Sequence, residues 1–255
     1  MKKISRELLK EERLKNRKII GVIGGMGPLA TYDFYRILTE LVPAKYDQEH
    51  ARVIIMSDPI IPDRTEAILG KGEDPLPYMI KLARKLENAG ANFIVIPCNT
   101  AHFFVNKIKK EIKSPIISII DATLKEVKEN GFSTALLLAT DATISTNLYQ
   151  KHAEKWGIKI YTPNKENQKL IMKAIKFVKA GDIPKAKEIT KEVVRPIFDI
   201  SPLNCVIGGC TEVPLMWDPA LDIKFINSSE ALARAAILFA YGEKIDDKLF
   251  VTLED

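Results

Sequence analysis

Cysteine and histidine are scarce in this sequence, with three of each in 255 residues. No C-x-x-C or H-x-x-x-H pair occurs, so the ligand spacing of a zinc site is missing. His50, His102 and His152 are scattered, and His102, four residues after Cys98, reads as a helix-face residue that orients or shields a site. No apolar run approaches the ~20 residues of a membrane span. The first residues are charged rather than apolar, so no secretory signal is expected. Three cysteines without such a signal point to free thiols in the reducing cytoplasm. Aromatic residues make up only 7%, and none lies among the basic residues at the start of the chain. That argues against nucleic acid as a partner despite a net charge of +5. Residues 1–18 hold eight Lys or Arg against three Glu, which is the whole excess. We read residues 1–17 as a basic arm, a short solvated helix with Leu8, Leu9 and Leu14 resting on the body.

What the sequence does have is alternation. Strand-length apolar runs (Ile19–Ile23, Val53–Met56, Phe93–Ile96, Ile116–Ser118, Ala135–Ala139, Ile158–Tyr161, Cys205–Ile207, Lys224–Ile226) alternate with segments of helical period. The helical segments are Ala30–Val42, Leu76–Ala89, Ala101–Ile112, Ala122–Glu129, Ser145–Trp156, Glu166–Lys179, Ile183–Phe198 and Ser229–Tyr241. Gly90 and Gly131 follow helical stretches as C-cap glycines do, and Ser229 precedes an Ala-rich helix as an N-cap does. Such alternation predicts an α/β protein with doubly wound parallel sheets. The stretch Asp58–Pro77 is too long for an ordinary connection and reads as functional.

The second half echoes the first. Ile19–Ile23 runs into Gly24-Gly25-Met26-Gly27, and Ala135–Ala139 runs into Thr140-Asp141-Ala142-Thr143, an offset of 115 that also aligns Thr31 with Thr146. Cys98 and Cys210 repeat at 112, each closing an apolar run beside a Thr or Asn. The two spacings predict two similar α/β lobes. We expect the first over 18–114 plus 224–255 and the second over 115–223.

Ligands of open α/β sheets bind beyond the carboxyl ends of the strands, so both thiols should face a crevice. If the two halves face each other, the thiols flank one small substrate. Cys205, inside a strand, reads as a core residue. Two thiols can invert a stereocentre without further help: one thiolate removes a proton from one face of a carbon, and the other thiol returns a proton to the opposite face. A placed group supplies ~10²–10⁴-fold, so hydrogen-bond donors to the enolate-like carboxylate must supply much of the rest. Asn99, Thr100, Thr211 and the amides of the Gly24–Gly27 turn are the donors beside the thiols. A competing reading comes from Gly25-Met26-Gly27-Pro28-Leu29-Ala30, which fits G-x-G-x-x-A with Asp58 at the end of the next strand. On that reading the chain is an NAD-dependent dehydrogenase. Against it, Ala30 to Asp58 spans 28 residues where ~20 are usual, and Pro28 removes an N–H near the helix start. The plainer reading is a glycine-rich turn that lets the backbone approach an anionic ligand.

The motifs GVIGGMGPLATYDFY, PDRTEAILG, IPCNTAHFF, LLLATDATISTNLY and GGCTEVPL, in this order over about residues 18–242, resemble the PLP-independent aspartate/glutamate racemases, and aspartate racemases most closely. The resemblance implies two lobes related by a pseudo-twofold, an active site in the cleft between them, a homodimer, and no cofactor or metal. It implies that Cys98 and Cys210 are the catalytic pair and that Asn99, Thr100 and Thr211 hold the substrate's α-carboxylate or ammonium. Met26 and its glycines would lie near the substrate, and Arg64 would pair with the side-chain carboxylate. Lys179, before Ala180-Gly181-Asp182, resembles a second cation of that subfamily, with a solvated helix-end lysine as the other reading. The expected activity is interconversion of L- and D-aspartate. Glutamate racemases of cell-wall synthesis resemble a different pattern, Asp-Ser-Gly after the first strand and Cys-Thr-His at the second cysteine. Here Gly-Gly-Met-Gly and Cys210-Thr211-Glu212 stand instead. Arylmalonate decarboxylases keep one catalytic cysteine. Hydantoin racemases and maleate isomerases share the paired thiols, and glutamate or broad specificity stays open.

Overall fold

The computed structural model describes residues 3–253; Met1, Lys2, Glu254 and Asp255 lie outside the described residues. The chain divides into two compact units, Met1–Ala122 with Ser229–Asp255, and Thr123–Ser228.

In the first unit, four parallel strands lie in the order β2-β1-β3-β4: β1 (Ile19–Gly24), β2 (Arg52–Ser57), β3 (Phe93–Val95) and β4 (Ile116–Ile117). β1 and β3 are central, and their β-branched and aromatic side chains are almost wholly buried. The helix Leu76–Asn88 shows why these segments pack as they do. Met79, Leu82, Ala83 and Leu86 fall at i, i+3, i+4 and i+7, forming one buried stripe. Each large side chain so buried contributes about 1.5–3 kcal/mol. The basic arm forms a 3₁₀ turn, Arg6–Leu9, capped by Ser5, and a short helix, Glu11–Lys15. Leu8 and Leu9 are buried, Leu14 is half-buried, and the Ile4 amide donates to the Leu41 carbonyl, so the arm is fastened to its unit.

The second unit repeats the plan. β5 (Thr134–Leu138), β6 (Lys159–Tyr161), β7 (Cys205–Gly208) and β8 (Phe225–Asn227) lie parallel in the order β6-β5-β7-β8. The two sheets even share a clamp at their amino edges. Asn92, just before β3, accepts from the Ile19 amide through Oδ1 and donates its own amide to the Ile19 carbonyl. Asn204, just before β7, accepts from the Thr134 amide and donates to the Thr134 carbonyl in the same way. These pairs sit at offsets of 112 and 115, the spacings that the cysteines and first strands show.

The inner strands fall where expected, but each lobe keeps its own fourth strand. β4 joins the first sheet beside β3 and β8 joins the second beside β7. The boundaries therefore fall at 122/123 and 228/229 rather than at 114/115 and 223/224. Each boundary lies at or inside a helix, Ile119–Glu129 and Ser228–Ala240.

In each sheet the chain winds outward from the first strand on one side and then crosses to the third on the other. The direction reverses between β1 and β3, and again between β5 and β7. Loops leaving the carboxyl ends of these strands line the crevice where such sheets take ligands. They are Gly25–Gly27 and Pro97–Asn99 in one unit, and Ala139–Thr140 and Gly209–Thr211 in the other. Gly25 is required here. Its φ is +93°, and a Cβ would stand 2.4 Å from the Asp58 backbone. We expect Gly25→Ala to cost about 2–4 kcal/mol, combining left-handed strain with overpacking, as urea titration would measure.

Candidate functional site

In the first unit, Met26, Ile61, Cys98 and Ala101 belong to one buried apolar cluster. The turn after β1 is self-braced: the Gly25 amide donates to Thr31 Oγ1 at 2.9 Å, and that hydroxyl donates to the Gly27 carbonyl at 3.0 Å. The Gly25 amide is therefore committed, and with Pro28 in the first helical turn the loop offers a pyrophosphate little of what a dinucleotide site requires. Cys98 follows β3 and is 6% exposed; Asn99 and Thr100 beside it are buried, and the 3₁₀ helix Thr100–Phe104 starts there. His102 holds this turn. Its Nε2 accepts from the Ile119 amide at 3.0 Å, which leaves the proton on Nδ1 to donate to the Cys98 carbonyl at 2.9 Å. Both ring nitrogens are thus engaged in shaping the turn.

Arg64 opens the helix Arg64–Ile68, which Asp63 caps by accepting from the Thr65 and Glu66 amides. This helix lies inside the long Asp58–Pro77 segment and packs against the 3₁₀ helix after Cys98. The guanidinium donates to the carbonyls of Pro62 at 3.1 Å, Ile61 at 3.4 Å and Met26 at 3.4 Å. Its Nε is buried with no acceptor, and it forms no ion pair among the described residues. Arg64 is thus a half-buried arginine without a carboxylate partner among the described residues, touching the Met26 turn.

In the second unit, Cys210 follows β7 at 7% exposure, with Thr211 and Glu212 also buried. Gly209 leads into this turn because a Cβ there would stand 2.4 Å from Leu137 Cδ1. The Cys210 thiol donates to Glu212 Oε2 at 2.8 Å, and the Thr211 hydroxyl lies 3.3 Å from the same oxygen. Sequence pattern alone assigns Glu212 no role. The available signal is an acidic residue two positions after a thiol, the one charged residue in Cys205–Met216.

Lys179 is exposed in the last turn of the helix Lys165–Lys179 and makes no hydrogen bond or ion pair among the described residues. Its height above the sheet follows from chain length. Gln168, near the start of that helix, donates to the Ala139 carbonyl and to Asp141 Oδ1 at the carboxyl edge of β5. The packed return helix, Ile183–Ile200, is about 27 Å long. Only four residues then reach Asn204 at the amino edge, a span of at most about 14 Å. The hairpin must therefore project past the carboxyl edge, with Lys179 near its tip, on the same side of the sheet as Cys210.

Cys205 differs from the other two cysteines. It is 0% exposed inside β7, and burial pushes its thiol up to about 12. A raised thiol value means the neutral form persists through the physiological range. Cys205 is expected to stay unmodified when the folded protein meets iodoacetamide at neutral pH, as peptide mass spectrometry would show. Among the described residues, no group of three or more His, Cys, Asp or Glu is placed to hold a metal ion. No described helix is long and apolar enough to cross a membrane.

Duplicated parallel sheets, each with a thiol at its carboxyl-edge switch point, define a class of two-lobed α/β protein. The Asp/Glu/Hydantoin racemase family matches residues 23–236, and the chain belongs to that family. Among solved structures it resembles the aspartate racemase of Picrophilus torridus, at 35% identity over 91% of this chain and 97% of that one, with a TM-score of 0.79. Among curated sequences, the broad specificity amino-acid racemase RacX of Bacillus subtilis is 27% identical over 86% of this chain and 96% of its own length. The glutamate racemase of Aquifex pyrophilus is 27% identical over 61% of each chain.

Proposed function

We propose that this racemase interconverts L- and D-aspartate by a two-base mechanism with no cofactor or metal, using Cys98 and Cys210 as its proton-transfer groups. The observation that carries the reading is the duplication itself: each of two sheets with the same strand order ends its third strand in a nearly enclosed thiol. On this reading the substrate's Cα must meet one sulfur at each of its two faces. One thiolate takes the Cα proton while the other thiol delivers its own to the opposite face. Reversing the direction exchanges the roles, as microscopic reversibility requires. Asn99, Thr100 and Thr211 would hold the α-carboxylate and ammonium, and Met26 would wall the site.

Preference for an acidic side chain rests on Arg64. Its guanidinium is unpaired among the described residues and loosely parked on backbone carbonyls. A β-carboxylate would replace those neutral contacts with two parallel charge-assisted bonds. Lys179, at the hairpin tip, would add a second positive charge on the same side of the second sheet. The 35% identity to an aspartate racemase supports aspartate over glutamate. The family resemblance makes a cytoplasmic homodimer the expected setting. The test is Cα–H exchange in deuterated water, followed by proton NMR over a panel of L- and D-amino acids. Aspartate should exchange and invert fastest. Binding without exchange would leave only a catalytically silent member of the family, and faster turnover of glutamate or of neutral amino acids would reassign the substrate.

A further inference from the structure

Glu212 has no part in the two-thiol scheme, yet its carboxylate touches one of the two thiols. It is 7% exposed. Among the described residues its side-chain hydrogen bonds are from the Cys210 thiol at 2.8 Å and the Thr211 hydroxyl at 3.3 Å, and it forms no ion pair. A carboxylate withdrawn from water persists where donors face it. Here the turn that carries the thiol supplies both donors. An S–H aimed at a carboxylate is held as S–H, because loss of its proton would set two negative charges in contact.

We propose that Glu212 is a positioning residue that keeps the proton on Cys210. In the resting enzyme Cys210 is then the acid and Cys98 the base, so one enantiomer is deprotonated directly, and its mirror image is deprotonated by the less populated form with the charge on Cys210. The inference rests on the two-thiol reading and deepens it. In the forward step the Cys98 thiolate forms an S–H bond with the substrate's Cα hydrogen, and the C–H electron pair stays on carbon as the carbanion. The Cys210 S–H bond then breaks, its proton goes to the opposite face of that carbon, and its electron pair remains on sulfur. The Cys210 thiolate beside Glu212 is the unfavourable form. Water restores it to S–H, and Cys98 returns its proton to water, so protons balance over the cycle.

The test reads the thiols directly and needs no substrate. Iodoacetamide reacts with thiolate rather than thiol, so initial alkylation rates at one neutral pH, resolved by peptide mass spectrometry, report each sulfur separately. Glu212→Gln removes the charge, keeps the size and offers the sulfur an N–H donor. Cys210 should then alkylate at least about tenfold faster, the scale of a like charge in contact, while the Cys98 rate stays unchanged. Glu212→Asp retracts the carboxylate by one methylene. It should give an intermediate Cys210 rate and serves if the Gln variant does not fold. Equal Cys210 rates in the native protein and the variants would overturn the proposal. So would a rise shared by Cys98, which marks loosened packing. If no amino acid exchanges its Cα hydrogen, the racemase reading fails, and the ratio of the two alkylation rates still decides the role of Glu212.

Discussion

Alanine in place of Cys98, or of Cys210, is expected to lower racemisation by about 10⁴-fold, the upper end of what one placed proton-transfer group supplies. Both losses should be equally severe, because inversion needs a group on each face and neither sulfur can serve both. The variants should differ in a second measurement. With one thiol left, the enzyme can take a Cα proton from one face and return deuterium to that same face. Each variant should therefore wash deuterium into a single enantiomer without inverting it, and the favoured enantiomer should switch between Cys98→Ala and Cys210→Ala. Stability should move little, since alanine keeps the Cβ and a loss near 1 kcal/mol is usual for so small a truncation. Chiral chromatography after incubation in deuterated water reads both quantities at once. Racemisation retained in both variants would end the two-base scheme.

Much of the fold is legible in the sequence, and the parts that are not share a physical cause. The eight strands appear within a residue or two of the expected runs, because β-branched residues bounded by glycine and polar turns leave few alternatives. Gly90 and Gly131 end helices at φ of +92° and +77°, as C-cap glycines should. The expected helix Ser145–Trp156 is instead broken, with Asn147 in the left-handed region at φ 53° between Asp141–Ser145 and Leu148–Ala153. Asparagine tolerates that conformation, so its presence in a helical period was the warning. The helix expected over Ala101–Ile112 begins as a 3₁₀ turn, where His102 spends its ring on the Cys98 carbonyl and the Ile119 amide. Membership of β4 and β8 could not be read from local pattern. Two or three apolar residues show that a strand exists, but which neighbour it joins is decided by long-range packing. Glu212 was opaque for the same reason. A glutamate on a turn normally faces water, and only the fold reveals that this one is enclosed against a thiol.

Replacing Arg64 by alanine should lower kcat/KM for aspartate by about 10²-fold or more, the cost of removing one partner from a desolvated, hydrogen-bonded charge pair. Three features support the proposal that this residue sets specificity. Two of its three carbonyl bonds, to Ile61 and Met26, are long at 3.4 Å, so little is lost when they open. Its Nε is buried without an acceptor, an unmet donor that a carboxylate can satisfy. The Met26 contact ties it to the turn after β1, at the same sheet edge as Cys98. Arg64→Lys keeps the charge but loses the planar fork, so it should recover only part of the loss. The decisive quantity is selectivity. Turnover of a neutral amino acid, however slow, should change far less than turnover of aspartate, because the cation acts only on a side-chain carboxylate. The melting temperature should also stay close to that of the native protein, since no ion pair is broken. An equal fall for acidic and neutral substrates would make Arg64 a support for the turn, and unchanged aspartate kinetics would remove it from the site.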